Sequence, residues 1–482
     1  MKDEVILYFT GHTFIGSIGS MYPPLSVLPL AGILKKNGYN PRIVDTRLED
    51  IRKVRLDNAI CVGISTVTGR RIKVGLEAAR YVRENSDVPI IWGGVHPTLL
   101  PEQTLQNEYV DIVCRGEGEE TLLELVETIE RGKSLDEVRG ISYKDKNGKI
   151  RHNPDRPFMN MDNVIDIDYS FFKNVKAYSP DKTFHYISSR GCPHKCTFCY
   201  NSKFCNSTWR TKSVEKIERE IAEIVDKFNP KRLNFLEDNF FVSRKRVEQI
   251  CDFLIKENFD VEWTADCRAN YFERYSPDFM DKMKRSGCCE IIIGAESGSP
   301  RILDAIQKDI SVPQIRNAVK KCLKHDIDVF ALFMIGFPGE TLEDVRLTMR
   351  LIDELKGLSR DRVRTTISIL SPYPGTPIFN TALEHGLHPP TSLEEWGNWN
   401  FSSSENTPWF DREYREFLEA VANSARVMDA KFEMSTNPAI LAKNLARSLF
   451  VTSARVRWKY KYFKFPFEWK VWSYIQRKRG YA

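Results

Sequence analysis

Over roughly the first 130 residues, short apolar runs alternate with amphipathic stretches. The runs at 5–9, 41–44, 60–65, 89–92 and 111–114 have the length and continuity of strands buried on both faces. Between them, 28–37, 71–84 and 119–130 place apolar residues at helical spacing, and Gly38 supplies a helix stop after Asn37. Strand and helix in alternation predict a doubly wound parallel sheet, with ligands at the carboxyl ends of its strands.

The rhythm breaks over 131–180. Lys144-Asp145-Lys146-Asn147-Gly148-Lys149 reads as a hairpin turn, and Asn153-Pro154-Asp155-Arg156-Pro157 as a connector. From Phe184 it resumes, with strands expected near 184–188, 232–236, 261–265, 290–294, 329–335 and 364–370 and helices between them. Six parallel strands with crossover helices predict a partial barrel whose chemistry sits on the loops after the strands. The expected division is α/β: a Rossmann-like domain over 1–135, a linker over 136–180, a (β/α)6 barrel over 181–385, and a mainly helical C-terminal region over 386–482.

Composition agrees with several domains. At ~150 residues each, 482 residues make about three, and 42% hydrophobic content suffices for packed cores. The net charge of +6 is too slight to mark a nucleic-acid binder, but it is unevenly placed. From residue 440 onward there are eleven basic residues and one acid, Glu468, so the body is mildly acidic and the tail strongly basic. No run of eighteen apolar residues occurs, and Met1-Lys2-Asp3-Glu4 leads straight into a strand, so the expected location is the cytoplasm. Eleven cysteines, an odd number spread through a long chain, read as ligands or core residues and not as a disulfide framework.

Three of them stand together. Arg190-Gly191-Cys192-Pro193-His194-Lys195-Cys196-Thr197-Phe198-Cys199-Tyr200 follows the first strand of the second half. Three thiols at intervals of four and three can converge on one inorganic cluster from a single loop, leaving one iron of a [4Fe–4S] cube without a protein ligand. A zinc site completed by His194 or Cys205, or clustering by chance, are the alternatives, although this spacing is not a common zinc-ribbon pattern.

At these residues the sequence resembles the radical S-adenosylmethionine (SAM) superfamily, whose signature is Cys-x3-Cys-x2-Cys with an aromatic before the third cysteine, here Phe198. The resemblance covers about residues 184–380. It implies that Cys192, Cys196 and Cys199 hold the cluster and that SAM chelates the open iron. One electron then splits SAM into methionine and a 5′-deoxyadenosyl radical. It also implies SAM contacts at the strand ends. Glu237 and Asp238 lie in Leu236-Glu237-Asp238-Asn239, Glu296 in Gly294-Ala295-Glu296-Ser297-Gly298, and Arg268 follows the strand at Trp263-Thr264-Ala265. An acid or arginine at a strand end is also often only a cap or a surface ion pair.

The first half lacks the Gly-x-Gly-x-x-Gly spacing of a dinucleotide site after its first strand. It resembles instead the cobalamin-binding domain that precedes some radical SAM modules. The matching pieces are Tyr22-Pro23-Pro24-Leu25-Ser26, Gly63-Ile64-Ser65-Thr66, Trp92-Gly93-Gly94-Val95-His96-Pro97-Thr98 and Arg115-Gly116-Glu117-Gly118-Glu119. Ser65, Thr66, Gly93, Gly94 and His96 are then expected at the cofactor, small residues leaving room for its nucleotide tail. His12 departs from the family's Asp-x-His-x-x-Gly element, with no aspartate two residues earlier and one residue too many before Gly16. Either His12 ligates cobalt without that support, or the lower face is left to water or an apolar side chain.

Together these resemblances imply a cobalamin-dependent radical SAM enzyme that methylates an unactivated carbon through the 5′-deoxyadenosyl radical and methylcobalamin. Radical cyclisation or rearrangement without methyl gain is the runner-up, and a non-catalytic cobalamin or redox sensor the rival of another class. The expected partners are a small-molecule substrate and a low-potential electron donor such as flavodoxin or ferredoxin. The tail from Arg455 to Trp472 interleaves cations with aromatics. It fits an arm packed on its own domain or peripheral contact with the inner face of an anionic membrane; nucleic acid is disfavoured. A membrane-borne substrate of lipid, isoprenoid or tetrapyrrole type would suit that second reading.

Overall fold

A computed structural model describes residues 3–11, 21–172, 174–428 and 438–463. The first half holds β1 (Glu4–Phe9), α1 (Leu28–Lys36), β2 (Asn40–Asp45), β3 (Ala59–Ser65), α2 (Arg70–Asn85), β4 (Ile90–Gly93), α3 (Val95–Leu99), α4 (Pro101–Gln106), β5 (Ile112–Cys114) and α5 (Glu119–Glu130). Its five strands are parallel in the order β2-β1-β3-β4-β5, doubly wound as the alternation predicts. The hairpin read at residues 144–149 forms too. Its strands β6 (Ile141–Lys144) and β7 (Ile150–His152) add antiparallel to β5, making a sheet of seven.

The two faces of this sheet are buried differently. Val5, Leu7 and Ile91 pack with α1 and α5, while Ile6, Tyr8 and Ile64 pack with α2 and with Phe379, Trp396 and Trp399 from far along the chain. Residues 377–399 therefore cap the first sheet, and Trp396 Nε1 donates to Gln103 Oε1 at 2.6 Å. Burial of a ring this size contributes roughly 2–3 kcal/mol, so the cap is a substantial tie between the halves of the chain.

The second half holds β8 (Thr183–Tyr186), a short ribbon of β9 (Ser189–Arg190) and β10 (Arg210–Thr211) around α6 (Asn201–Phe204), then α7 (Val214–Phe228), β11 (Arg232–Phe235), α8 (Arg244–Lys256), β12 (Glu262–Cys267), α9 (Pro277–Arg285), β13 (Cys288–Glu296), α10 (Pro300–Ala305), α11 (Val312–Lys324), β14 (Asp328–Ile335), α12 (Leu342–Leu358) and β15 (Val363–Ile369). Six strands form one parallel sheet in the order β8-β11-β12-β13-β14-β15. Each matches an expected strand. Burial along β14 alternates: Val329, Ala331, Phe333 and Ile335 face the helices, and the half-buried Phe330, Leu332 and Met334 line the other face.

After α13 (Pro377–Glu384) and α14 (Leu393–Trp396), the C-terminal region adds α15 (Arg412–Met428) and α16 (Pro438–Tyr460). The described part of the basic tail follows the first of its two readings, an arm packed on its own domain. Trp458 and Phe463 are buried in the barrel core, Trp458 Nε1 donates to Asp353 at 2.5 Å, and Lys461 pairs with Asp353 at 2.6 Å. Aromatic rings held in the core are withdrawn from any membrane contact. The rest of the tail, 464–482, lies outside the described residues. Among the described residues no helix is long and apolar enough to cross a membrane.

Candidate active site

The cysteine loop leaves the carboxyl end of β8 and is closed at its base by the β9/β10 ribbon, where Arg190 faces Arg210 and Ser189 faces Thr211. Gly191 opens the loop at φ +82°, and a Cβ there would lie 2.0 Å from the Thr208 carbonyl oxygen, so only glycine lets the base close. Its amide donates to Asp238 Oδ2 at 2.9 Å, which puts Asp238 at the loop entrance.

Cys196 is buried; Cys192 and Cys199 are half-buried. Two of the sulfurs have side-chain donors aimed at them. Asn239 Nδ2 reaches Cys192 Sγ at 3.5 Å, and the Arg268 guanidinium reaches Cys196 Sγ at 3.4 Å. Burial, and beyond it the nearby Cys196, Asp238 and Cys192, push the Cys199 thiol up to about 12. Thiols so placed ionise when a cationic cluster binds them, and N–H donors at the sulfurs favour the charged form. The donor set therefore fits an iron–sulfur cluster.

Both candidate fourth ligands for zinc are engaged elsewhere. Burial first, then the Arg268 cation, lowers His194 to about 4, and its Nε2 shares a 2.8 Å hydrogen bond with the Tyr271 hydroxyl. Cys205 donates to Asn201 Oδ1 at 3.4 Å. No three His, Cys, Asp or Glu side chains gather at single-ion distance among the described residues. The thiolates of a cube each bind a different iron and need not do so.

Beside the loop, β13 ends in a bulge between Gly294 and Glu296, with Glu296 at φ +61°, a left-handed conformation uncommon for a side-chain-bearing residue. The turn folds the Glu296 carboxylate back over Gly294, where Lys308 Nζ meets it at 2.7 Å. A Cβ on Gly294 would sit 2.7 Å from that carboxylate and 2.9 Å from the ammonium, so the glycine makes room for the pair. Lys308 Nζ also lies 5.9 Å from the Phe198 ring centroid. Phe198, Lys308, Glu296, Arg268 and Cys196 thus form one continuous patch. Lys308 carries no motif and was not read from the sequence; its spacing from Glu296 through α10 is what the fold supplies.

Two expected SAM contacts also make hydrogen bonds within the protein. Glu237 accepts from the Ser188 amide at 2.7 Å and from the Ser188 and Ser189 hydroxyls, with Arg246 at 3.6 Å. Its buried carboxylate thereby holds the strand-to-loop crossing. Arg268, expected to pair with a SAM carboxylate, donates to Cys196 Sγ and the Lys308 carbonyl, and its buried Nε has no hydrogen-bond partner.

Deeper along the strands lie groups the sequence reading did not single out. His185 on β8 is 2% exposed, both its ring nitrogens lack a hydrogen-bond partner, and Tyr22 from the first half packs on it at 4.6 Å between centroids. Asp266 on β12 is pushed up to about 7, by burial first and then by Asp238 and Glu237. His185 is lowered to about 4 by burial. A buried histidine kept neutral makes the unfolded chain bind the extra proton between about pH 6.5 and 4, so stability is fully present above that window and falls as pH falls through it. We expect a loss of about 3 kcal/mol across it from this residue. Urea unfolding of His185→Gln against pH checks this; a variant that keeps the wild-type slope removes the assignment.

In the first sheet, Thr10, Ser65, Thr66, Gly93 and Gly94 cluster at adjacent strand ends. Thr10 Oγ1 donates to the Ser65 carbonyl at 2.8 Å, the Ser26 and Ser65 hydroxyls are 3.0 Å apart, and the buried Thr66 hydroxyl has no partner. Gly94, at φ +101°, lies so close that a Cβ would be 2.3 Å from the Thr66 carbonyl. A Cβ on Gly93 would make only ordinary contact, 3.7 Å from the Cys114 carbonyl. Small residues and an unpartnered donor at this edge fit a bulky nucleotide-like group. His96 departs from the expectation of a cofactor contact: it is fully buried, shares a 3.1 Å hydrogen bond with Thr68, and packs edge-on against Trp396 at 5.5 Å. The cap formed by residues 377–399 is the reason, since it covers the turn after β4. His12 lies outside the described residues.

Comparison with known proteins agrees with both halves of this arrangement. The B12 binding domain family matches residues 11–126 and the Radical SAM superfamily matches residues 186–352. An uncharacterized methyltransferase of Pyrococcus horikoshii is 33% identical over 396 residues, covering 80% of this chain and 84% of that one. The anaerobic magnesium-protoporphyrin IX monomethyl ester cyclase of Rubrivivax gelatinosus is 27% identical over 356 residues, 70% of this chain and 63% of that one. The fold is similar to that of the radical S-adenosylmethionine methyltransferase TsrM from Kitasatospora setae, with a TM-score of 0.68 at 15% identity, over 94% of this chain and 99% of that chain.

Proposed function

The chain belongs to the cobalamin-binding radical SAM methyltransferase family, and from that premise we propose that it methylates an unactivated carbon of a small-molecule substrate. When bound, a [4Fe–4S] cluster, SAM and cobalamin supply the electron, the carbon-centred radical and the methyl group; the protein supplies position and exclusion of water. Cys192, Cys196 and Cys199 would hold the cluster, with Asn239 and Arg268 donating to their sulfurs. Glu296, set against Lys308 beside Phe198, orients the amino-acid end of SAM, and Asp238 fixes the entrance of the loop. Ser65, Thr66, Gly93 and Gly94 receive the cobalamin tail. His12 would be the residue to hold cobalt from the first domain, but it lacks the supporting aspartate two residues earlier, and we read the cofactor as held without it.

The division into 1–135, 136–180, 181–385 and 386–482 is retained as a functional one, with residues 377–399 as the tie between the cofactor-bearing units. The electron donor is a low-potential protein such as flavodoxin or ferredoxin, and the location is the cytoplasm. The observation that carries the reading is the side-chain donors on two sulfurs of one three-cysteine loop beside the Glu296–Lys308 pair.

Incubation of the anaerobically reconstituted protein with SAM deuterated in its methyl group, cobalamin, reductant and a small-molecule extract of the source cells tests it. We expect a new product carrying the deuterated methyl. The cyclase relative motivates a second reading, in which a product forms by loss of hydrogen and carries no label. Absence of any SAM cleavage points to the sensor.

A further inference from the structure

The stem of the cysteine loop contains an arrangement that is unfavourable by itself. Arg190 and Arg210 stand directly opposite one another on the β9/β10 ribbon, and like charges so placed repel. The ribbon has only two residues a side, too little backbone pairing to absorb that cost. What offsets it comes from the first half of the chain. Glu117 takes Arg210 in a two-bond fork at 2.7 and 3.0 Å and also reaches Arg190 at 3.2 Å, while Glu119 takes Arg190 at 2.5 Å. Two carboxylates and two guanidiniums balance, and all four are largely withdrawn from water, Glu119 to 5% side-chain exposure.

The carboxylates are themselves held. Arg115 donates to the Ile141 carbonyl at 2.6 Å and pairs with Asp155 at 2.7 Å, which anchors the turn between β5 and α5 to the hairpin. Arg210 also donates to the Met159 carbonyl at 3.0 Å and lies 4.3 Å from the centre of the Phe158 ring. Gly191 and Cys192 follow Arg190 directly, so whatever fixes Arg190 fixes the entry of the loop.

We propose that Glu117 and Glu119 are positioning residues for the cysteine loop: the first domain closes the stem from outside, and loading of the cluster depends on that clamp. This rests on reading the three cysteines as cluster ligands. It gives Arg115-Gly116-Glu117-Gly118-Glu119 a role toward the second half of the chain in place of one toward cobalamin.

A charge exchange in the full-length protein tests it. Glu117→Arg leaves three cations around one anion, and Glu117→Arg with Arg210→Glu restores the balance. Iron per chain after anaerobic reconstitution is measured, together with amide hydrogen exchange over residues 191–209 in the cluster-free protein. We expect the single variant to hold less than about half the wild-type iron and to exchange about tenfold faster in that segment alone, and the double variant to recover both. Wild-type iron and wild-type exchange in the single variant overturn the proposal, as does a folded double variant with no recovery. Where Glu117→Arg does not fold, Glu117→Gln carries the test through exchange of the same segment, and unchanged exchange overturns it. A wild-type protein that takes up no iron contradicts the ligand reading, and the exchange comparison still decides the clamp.

Discussion

Replacing Cys196 by alanine removes bound iron and lowers 5′-deoxyadenosine formation by at least about a thousandfold, while the fold survives. The size of the effect follows from the ligand count. A cube held by three thiolates has none to spare, since its remaining iron is the one that must stay open to SAM. Cys196 is the buried member of the three and the one under the Arg268 guanidinium. Its loss therefore leaves that cation over a void as well as an iron without its sulfur. Arg268 keeps its bond to the Lys308 carbonyl, so the barrel itself is not expected to open. Iron analysis and product quantification on anaerobically reconstituted protein check both halves. A Cys196→Ala protein with wild-type iron and turnover would exclude these thiols as the cluster's ligands.

Gly94→Ala is expected to be the most damaging single-methyl change in the first domain. The backbone there has φ +101°, and the added carbon would sit 2.3 Å from the Thr66 carbonyl oxygen and 3.2 Å from the Thr66 nitrogen, both backbone atoms. Neither the strain nor the clash can be relieved by a rotamer change, so β3 and the turn after β4 must part, at about 3 kcal/mol or more. Gly93→Ala, one residue earlier, meets nothing closer than 3.7 Å and serves as the control. We expect urea unfolding of Gly94→Ala to shift by that amount with loss of cobalamin on gel filtration. Gly93→Ala should keep its stability and lose cobalamin retention alone, because its methyl enters the space assigned to the tail. Equal behaviour of the two variants would show that the distinction between the glycines is wrong.

Much of this arrangement could be read from sequence because it is periodic. The six barrel strands and the five parallel strands of the first sheet lie where the apolar runs stand, since short apolar runs alternating with helical stretches fit a parallel sheet. The grouping of Cys192, Cys196 and Cys199 was legible because it is local, within one loop. What escaped is long-range. Glu237 sits next to Asp238 at a strand end and looks equally available, yet only the fold brings the Ser188 and Ser189 hydroxyls to it. His96 looked like a cofactor contact because nothing nearby in sequence announces that Trp396, three hundred residues on, covers it. Lys308 and the Arg190–Glu117 clamp are likewise products of topology: each joins residues whose separation carries no period. The aromatics of the basic tail left two readings open for the opposite reason. Trp458 and Phe463 have an interfacial pattern, but the barrel helices offer them a core and Asp353 offers the indole an acceptor.

The claim on which the rest depends is that one iron of the cluster is left to SAM. Electron paramagnetic resonance of the reduced, reconstituted wild-type protein, recorded with and without SAM and paired with metal analysis, tests it most directly. We expect about four irons per chain and a signal whose g-values move when SAM is added. A single zinc ion per chain, or an iron–sulfur signal indifferent to SAM, would contradict it.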